Sequence, residues 1–489
     1  MPVPPTSPAD RDETCRTGAT VRDRVDACPG ALRLHAADDG ALARIRVPAG
    51  LLTARQAMVL ADIADGLGDG NLDITSRGNL QIRGLPEGCG GELGGRLRAA
   101  GLLPSDRYER ARNVVASPLC GLDGRQPGDA GGARTAGGAR GDVQAWARAL
   151  DALLCADSDD EGGGAGGDAT PLDGHRSDST ADLSGLSGRF LFGLDDGRGD
   201  IVALGPDVTL IAGEDGRNAL LCFGTDSAEG ALRIAAADAP HAALLAAREF
   251  LAARRESGSR AWRVRDLAPG QRPGPGRLAE RLAAAGIACT LVHPAAPPVG
   301  TPPPLGPVHG NDGRWALSVA APLGRLTTGQ WRLLARTADR DGDGELRVTP
   351  WRGIVVPGLT ARSAADRLAA LADAGLVTSP GSAWHHAGAC TGRPGCAKSL
   401  ADVRADAAAC LTGVRPGGTG QLPVYWSGCE RRCGHPAGGR WVDVLATGDG
   451  YRVTVRNGAQ DETVRTVTAE QLAGTVAKAR TTATTPRTT

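Results

Sequence analysis

The sequence has no net charge, few cysteines for its length and no long uninterrupted apolar run. Its 55 Lys plus Arg residues equal its 55 Asp plus Glu residues, which excludes a global field that would attract nucleic acid or an anionic membrane. Residues 1–13 lack the apolar core of a signal peptide, and prolines interrupt the charge-poor stretch 282–308. We therefore expect a cytoplasmic protein with neither nucleic acid nor a membrane among its partners.

Twelve cysteines in 489 residues are too sparse for a small disulfide scaffold, and clustered cysteines in a reducing compartment favour metal ligation over disulfide bonds. Eight are scattered, and a small buried hydrophobe is the default interpretation for these. The other four form two pairs. Five residues separate Cys390 from Cys396, and three separate Cys429 from Cys433, after an intervening stretch of 32 residues.

Four thiolates supplied by two loops fit a [4Fe-4S] cluster, which proteins hold with four cysteines. Glycines at 388, 392, 395 and 428 would let backbone N–H groups approach the sulfurs of such a cluster. Structural zinc is the alternative, although its ligand pairs usually enclose two to four residues and the first pair here encloses five. The sequence thus favours an iron–sulfur cluster and leaves zinc open.

An internal repeat organises the chain. "VPAGLLTARQ" at 47–56 and "APLGRLTTGQ" at 321–330 lie 274 positions apart, and the same offset relates later leucines, threonines and glycines without a gap over about 55 residues. Each copy has alternating strands and helices with apolar residues at a spacing of three to four, the first helix beginning near TxxQ. The order predicts an α+β fold of duplicated ferredoxin-like half-domains in a pseudo-twofold arrangement.

The rest of the chain divides around these copies. Gly-, Asp- and Ala-rich segments near 123–142 and 156–185 are expected to be surface insertions, and a Pro-rich stretch to be a linker. The predicted units are half-domain 1 at 28–105, a central domain at 106–290, the linker at 291–309, half-domain 2 at 310–380, a cluster-binding domain at 381–475 and a flexible tail at 476–489.

Two other motifs carry less weight. "DRDGDGELRVTP" at 339–350 begins like a calcium loop, but its twelfth position is Pro350 where a bidentate Glu is needed. The sequence shows no GxGxxG between a strand and a helix, the motif that would indicate a dinucleotide-binding fold.

The two cysteine pairs after the second repeat resemble the nitrite and sulfite reductase superfamily, in which a [4Fe-4S] cluster neighbours a tetrapyrrole. "TSRGNLQIRGL" at 75–85, "RNVVASPLCGLD" at 112–123 and "GRFLFGLDDG" at 188–197 resemble its anion-site, Arg-Asn and basic-Phe motifs. "GACTGRPGCA" at 388–397 and "SGCERRCGHP" at 427–436 are most similar to the precorrin-3B synthase family, with Arg432 standing where that family has glycine. The fold class implied is two half-domains with two cluster- and tetrapyrrole-binding units.

The resemblance implies an enzyme, a monooxygenase that hydroxylates precorrin-3A with dioxygen and forms a lactone in aerobic cobalamin biosynthesis. Implied cofactors are the [4Fe-4S] cluster on Cys390, Cys396, Cys429 and Cys433, a mononuclear non-haem iron, and NADH through a reductase or ferredoxin. A precorrin carries many carboxylates, which arginine forks bind through paired hydrogen bonds. The residues carried over as substrate ligands are Arg77, Arg112, Arg189 and Arg431, with Arg83 as a fifth.

The second copy has Trp351 at the position of Arg77, so one half keeps cations while the other keeps cysteines. The three histidines near the cysteines, His385, His386 and His435, are candidates for the iron, with a structural role as the default. Two other functions stay open at this point. The first is a sirohaem-dependent assimilatory sulfite or nitrite reductase, and the second is a non-catalytic iron–sulfur electron-transfer or tetrapyrrole-binding protein.

Overall fold

A computed structural model describes residues 29–123, 142–156, 183–224, 230–294, 300–413, 421–436, 438–458 and 460–481. Most of the two expected insertions, five residues of the expected linker and the end of the expected tail lie outside the described residues. No helix in these ranges is long and apolar enough to span a bilayer.

Two segments of the chain fold alike, element for element. In the first, five strands and two helices run in the order β1 His35–Ala37, β2 Gly40–Ile45, β3 Leu51–Thr53, α1 Ala54–Leu67, β4 Asn71–Ile74, β5 Leu80–Leu85 and α2 Gly90–Ala99. The second follows the six strands and three helices of the central unit, which are named below. It contains β12 Gly306–His309, β13 Trp315–Ala320, β14 Arg325–Thr327, α6 Thr328–Asp341, β15 Glu345–Val348, β16 Gly353–Leu359 and α7 Ala361–Asp373. The predicted duplication is confirmed.

Both α1 and α6 begin with the same capping box. The Thr53 hydroxyl accepts a hydrogen bond from the backbone N–H of Gln56, whose side-chain oxygen accepts from the Thr53 N–H in return. Thr327 and Gln330 repeat this exchange at the start of α6. Since each exchange satisfies backbone donors that a helix leaves without internal partners, TxxQ fixes where both helices start.

The two half-domains exchange a strand. Strand β3 leaves its own half and pairs with β15, with Leu52 opposite Leu346, and β14 pairs with β4, with Leu326 opposite Leu72. The resulting sheet orders are β1-β2-β5-β4-β14 and β12-β13-β16-β15-β3. A single hydrophobic core therefore joins both halves.

Helices α1 and α6 pack against each other across the pseudo-twofold axis. The indole N–H of Trp331 donates to the carbonyl of Ala57 at 2.7 Å, and these two residues are exactly one repeat of 274 positions apart. Two residues at equivalent positions of the repeat can contact each other only close to the pseudo-twofold axis. The contact between Trp331 and Ala57 therefore marks where the axis passes.

The central unit has one six-stranded sheet in the order β11-β10-β9-β8-β7-β6. Its aromatic core includes Phe190, which packs against Phe192 and Phe250 with ring centroids about 5 Å apart. The elements are β6 Val114–Ala116, α3 Val143–Ala156, β7 Phe192–Asp195, β8 Val208–Ala212, β9 Asn218–Phe223, β10 Ala231–Ala235, α4 Ala239–Glu256, α5 Pro275–Ala284 and β11 Cys289–Val292.

The last unit has a sheet of similar construction, in the order β17-β18-β19-β20-β21. In both sheets three parallel strands lead into antiparallel ones, namely β6-β7-β8 in the first and β17-β18-β19 in the second. Its elements are β17 Ala387–Ala389, α8 Val403–Leu411, β18 Val424–Ser427, β19 Arg440–Thr447, β20 Gly450–Asn457, β21 Gln460–Val467 and α9 Ala469–Thr481. The expected α+β architecture with two paired units is confirmed.

Two expected boundaries differ from the structure. Helix α9 continues to Thr481, so residues 476–481 are not a loose tail. Val476 is buried, and the Arg480 guanidinium donates to the carbonyls of Ala383, His385 and Leu422. The linker expected at 291–309 contains the end of β11 and all of β12, because proline is tolerated at a sheet edge.

Candidate functional site

Two loops bring the four predicted cysteine ligands to one end of the last sheet. Strand β17 leads into the loop with Cys390 and Cys396, and its parallel neighbour β18 leads into the loop with Cys429 and Cys433. We call residues 390–400 and 428–434 the ligand loops. The Leu400 N–H donates to the carbonyl of Gly428 at 2.8 Å, which ties the two loops together.

Backbone donors point at a sulfur in these loops. The Gly428 N–H lies 3.2 Å from Cys390 Sγ. Burial raises the pKa of the Cys390 thiol, the N–H groups of Gly428 and Gly392 lower it, and nearby Cys433 and Cys429 raise it again. A Cβ on Gly428 would lie 1.9 Å from Ser399 Oγ, so only glycine permits this approach.

The spacing of the thiols distinguishes between metal centres. A tetrahedral zinc ion with Zn–S bonds of about 2.3 Å needs its sulfurs about 3.8 Å apart. Across the described residues, which include all four cysteines, no three of these sulfurs lie within 4.8 Å of one another. Four cysteines on two loops with wider spacing and a backbone N–H on one sulfur fit a [4Fe-4S] cluster better than zinc.

A cavity of about 310 Å³ in the first half, here called the arginine pocket, collects four cations. It brings together Arg77 and Arg189, two of the predicted substrate ligands, and none of the described residues that line it is acidic. Its lining is Pro29, Arg44, Arg46, Thr75, Ser76, Arg77, Asn79 and Arg189. Such a pocket is built for a ligand with several negative charges.

Backbone and side-chain contacts hold the pocket in shape. The guanidinium groups of Arg46 and Arg77 both donate to the carbonyl of Gly188, at 3.1 and 3.2 Å. The Arg189 guanidinium lies over the ring of Trp262, 4.3 Å from its centroid. Thr75 Oγ1 accepts from the backbone N–H groups of Arg77 and Asn79, which fixes the turn that presents Arg77.

The sequence analysis missed Arg44 and Arg46. Both belong to "LARIRVP", which was interpreted only as a strand. Side chains two positions apart on a strand share a face, so the R-x-R pattern was the available signal for a paired cationic surface.

Arg112, another predicted substrate ligand, does not line the arginine pocket but a second cavity that it shares with Arg46. Its side chain is 4% exposed, and its fork holds Asp151 of α3 at 2.6 and 2.8 Å while also donating to the carbonyl of Leu102. The neighbouring Asn113 serves the pocket instead. It is fully buried, and its side-chain oxygen accepts from Asn79 at 2.9 Å and from Arg46 at 3.4 Å.

The remaining predicted cations lie near the cysteines. Arg431 is exposed between Cys429 and Cys433 and does not line the arginine pocket. Arg432 has a positive φ of 44°, the region that glycine prefers, and its side chain is held by Asp443 at 2.8 Å and by Glu430.

Arg83 lies outside the arginine pocket as well. It pairs with Asp39 through two hydrogen bonds of 2.8 Å and donates to the carbonyl of Gly395 in a ligand loop.

The histidines form no evident iron site. The ring centroids of His385 and His386 lie 3.7 Å apart with the ring planes tilted by 42°, and burial lowers the pKa of His386 to about 4. The exposed His435 stacks on Trp441.

Within the described ranges, one group of three potential metal ligands is compact, namely Asp195, Asp196 and Asp200. Its carboxylates already have partners. Asp195 accepts four backbone N–H groups, Asp196 binds Arg198 and Asp200 accepts from Ser117. This cluster is a structural turn of the central unit.

A family model described as the nitrite/sulfite reductase ferredoxin-like half domain matches residues 35–89 and 308–374. These are the two segments that exchange strands. Each of these two segments is similar to the ferredoxin-like half domain of nitrite and sulfite reductases. Both lie where the repeat of 274 positions predicted a duplication.

Curated relatives match over short stretches. The chain is 40% identical over 82 residues to the ferredoxin–nitrite reductase of Leptolyngbya laminosa, covering 16% of each chain. It is 31% identical over 106 residues to a precorrin-3B synthase of Sinorhizobium sp, covering 22% of each. The sulfite reductase [NADPH] hemoprotein beta-component of Xylella fastidiosa is 28% identical over 141 residues. The matched stretches thus span about a sixth to a quarter of these relatives.

A solved structure extends the likeness of fold to most of the chain. The NirA protein of Mycobacterium tuberculosis superposes with a TM-score of 0.58 and 17% identity, covering 89% of this chain and 79% of that one. The likeness concerns the fold alone, and it includes the central and last units that the family model leaves unmatched.

Proposed function

We propose that the protein is an oxidoreductase that binds a polycarboxylate tetrapyrrole between the arginine pocket and a [4Fe-4S] cluster. The observation that carries this proposal is that the clustered arginines and the clustered cysteines lie in different units of the chain. Four arginines line one cavity of the first half, while four cysteines converge beside the second. A redox centre and a cationic binding site in the same molecule suit electron delivery to a bound anionic macrocycle.

The cluster would be held by Cys390, Cys396, Cys429 and Cys433, and when bound it supplies one electron at a time. The protein's own contribution is to hold the ligand loops together and to direct the Gly428 N–H at a sulfur. Hydrogen bonds of this kind tune the potential of iron–sulfur centres.

The substrate would be oriented by charge-assisted hydrogen bonds. Arg77 and Arg189, with Arg44 and Arg46, present forks that match carboxylates. Arg431, exposed between two cluster cysteines, would meet a carboxylate on the cluster side. Arg112 is held by Asp151 and would meet a ligand only in the second cavity that it lines with Arg46.

The specific reaction we propose is that of a precorrin-3B synthase, the hydroxylation and lactone formation of precorrin-3A. One oxygen atom of dioxygen enters the substrate and the other leaves as water, with two electrons from NADH delivered through a reductase or ferredoxin. The cysteine motifs and the Sinorhizobium relative support this choice. We assign no ligands to a mononuclear iron, because the histidines and the Asp195 group offer no open site.

A second candidate is a sirohaem-dependent nitrite or sulfite reductase. The relatives with the higher identity, such as the ferredoxin–nitrite reductase of Leptolyngbya laminosa, favour it. In this function the arginine pocket would bind the macrocycle's carboxylates and a small oxyanion. A protein that binds a tetrapyrrole without turnover is the third, and the shape of the pocket alone does not separate it.

The spectrum of anaerobically purified protein tests these functions, together with iron and acid-labile sulfide contents and a pyridine extract. We expect about four irons and four sulfides per chain and no sirohaem. The protein should then convert precorrin-3A under dioxygen with a reductant, and the Arg77→Ala variant should convert it more slowly at limiting substrate. Sirohaem in the extract would assign the protein to the reductases, and bound but unchanged precorrin-3A would make it a carrier.

A further inference from the structure

Three arginines from three different elements donate to backbone carbonyls of the ligand loops. Arg404 Nε of α8 lies 3.2 Å from the carbonyl oxygen of Cys390. Arg83 of β5 donates to Gly395 at 2.8 Å, and Arg352, in the turn between β15 and β16, donates to Gly434 at 3.3 Å. We call Arg83, Arg352 and Arg404 the arginine clamp.

The clamp is cationic and largely shielded from solvent. The side chains of Arg83 and Arg404 are 8% and 19% exposed. Asp39 pairs with Arg83, whereas Asp73 is shared between Arg404 and Arg325. Arg325 also pairs with Asp69 at 3.5 Å, so Arg83, Arg404 and Arg325 each have a carboxylate partner and the uncompensated charge of the clamp rests on Arg352.

Arg352 adds an independent observation. Its φ is +60°, and the equivalent position in the first half, 274 residues earlier, is Gly78 with a φ of +66°. A non-glycine residue in this region costs about 1 kcal/mol or more. In the described part of the chain Arg352 has no carboxylate partner, and its guanidinium lies over the ring of Tyr425, whose hydroxyl donates to the carbonyl of Cys433 at 2.6 Å. The second half thus accepts backbone strain to place a cation at a ligand loop.

We propose that the arginine clamp raises the reduction potential of the cluster and positions its ligand loops. Reduction adds one electron to a centre already carrying four thiolates, and partly buried cations favour the more negative state because screening there is weak. The inference rests on the four-cysteine cluster of the proposed function. Its arginines are positioning residues, since they reach carbonyl oxygens and not the sulfurs.

The test is a spectroelectrochemical titration of full-length protein with iron and sulfide measured in each variant. At a fixed potential we expect Arg404→Gln and Arg352→Gly to lower the ratio of reduced to oxidised cluster about tenfold. For a one-electron couple this corresponds to a midpoint potential about 59 mV lower than in wild type. Arg404→Lys and Arg352→Lys should stay within about threefold of wild type, because they keep the charge. Arg347→Gln is the matched control, since Arg347 is buried and donates to the carbonyls of Pro118 and Cys120 in the central unit.

Arg352→Gly separates charge from structure, because glycine relaxes the positive φ while removing the cation. An unchanged potential in both neutral variants would overturn the inference, as would equal shifts in the lysine and neutral variants. If Arg404→Gln does not fold, the comparison of Arg352→Gly with Arg352→Lys tests the inference. A wild-type protein without iron and sulfide would instead refute the cluster itself, which is a failure of the proposed function and is recognised before any titration.

Discussion

Single side chains divide into those that line the arginine pocket, those that would hold the cluster and those that support either. No other side chain of this protein would replace a missing thiolate on the iron of the cluster. Each arginine of the pocket, by contrast, is one of four that can bind a carboxylate of the ligand. We therefore expect loss of a cysteine to be all-or-none and loss of an arginine to be graded.

Replacing Cys396 with Ser should remove the cluster. Cluster binding and folding are linked in such sites, so the second half should also become less stable. Iron, sulfide and visible absorbance would fall in Cys396→Ser and stay at wild-type values in Cys289→Ser, which changes a cysteine on β11 of the central unit. Equal iron contents in the two variants would remove Cys396 from the ligand set.

Replacing Arg77 with Ala should weaken binding of the tetrapyrrole by about 10- to 100-fold, because a charge-assisted hydrogen bond contributes about 1.5–3 kcal/mol. Iron content should not change. Arg96→Ala on α2 is the control, since Arg96 is exposed and pairs only with Glu92 along the helix. Fluorescence-quenching titrations measure both affinities, and wild-type affinity in Arg77→Ala would exclude it from the site.

Asp200 should make stability depend on pH. Burial and then the neighbouring Asp195 raise its pKa to about 7. Between about pH 4 and pH 7 the unfolded chain ionises this group while the folded protein keeps it protonated, so its contribution to stability is lost as the pH rises through this window. Asp200→Asn should exceed wild-type stability at pH 8 by on the order of 3 kcal/mol and match it near pH 4. Asp449→Asn, on an exposed turn, should track wild type in the same urea titrations.

Sequence alone found the cysteines because ligands close in the chain show their spacing directly. It did not predict the ion pair of Arg112, because its partner Asp151 lies 39 positions away on another element. An arginine that lines a pocket and one that supports it look identical until the partner is known.

At the scale of elements, the two capping boxes perform the same task in each half. Thr53→Ala and Thr327→Ala should each lower the free energy of unfolding by about 1 kcal/mol, while Thr53→Ser should lower it much less. Denaturant midpoints provide the measurement. A cost confined to one of the two threonines would show that the halves are not energetically equivalent despite their equal geometry.

Element order and helix starts could be predicted because periodicity and TxxQ are local signals. The strand exchange could not be predicted in the same way. Strands β3 and β14 are three residues long. Leu52 of β3 pairs with Leu346, 294 positions later, and Leu326 of β14 pairs with Leu72, 254 positions earlier. Nothing in three residues specifies whether they pair with their own half or with the other.

For the whole molecule, the exchange predicts that neither half folds alone. A chain of residues 29–294 would lack β14 and leave β4 as an open edge, with β3 unpaired. We expect this fragment, expressed alone, to aggregate, and co-expression with a fragment of residues 300–481 to return soluble protein. Size-exclusion chromatography of the tagged fragments measures this, and a soluble, cooperatively unfolding fragment on its own would contradict it.

The contact between Trp331 and Ala57 bears on how such a chain could have arisen. In a dimer of identical copies, the position on the axis would carry the same residue twice, and two tryptophans would collide whereas two alanines would leave a hole. One large and one small residue fit only when the two copies are encoded separately and can diverge. The same freedom permits Gly78 in one copy and Arg352 in the other, so the contact on the axis records that the two halves are no longer interchangeable.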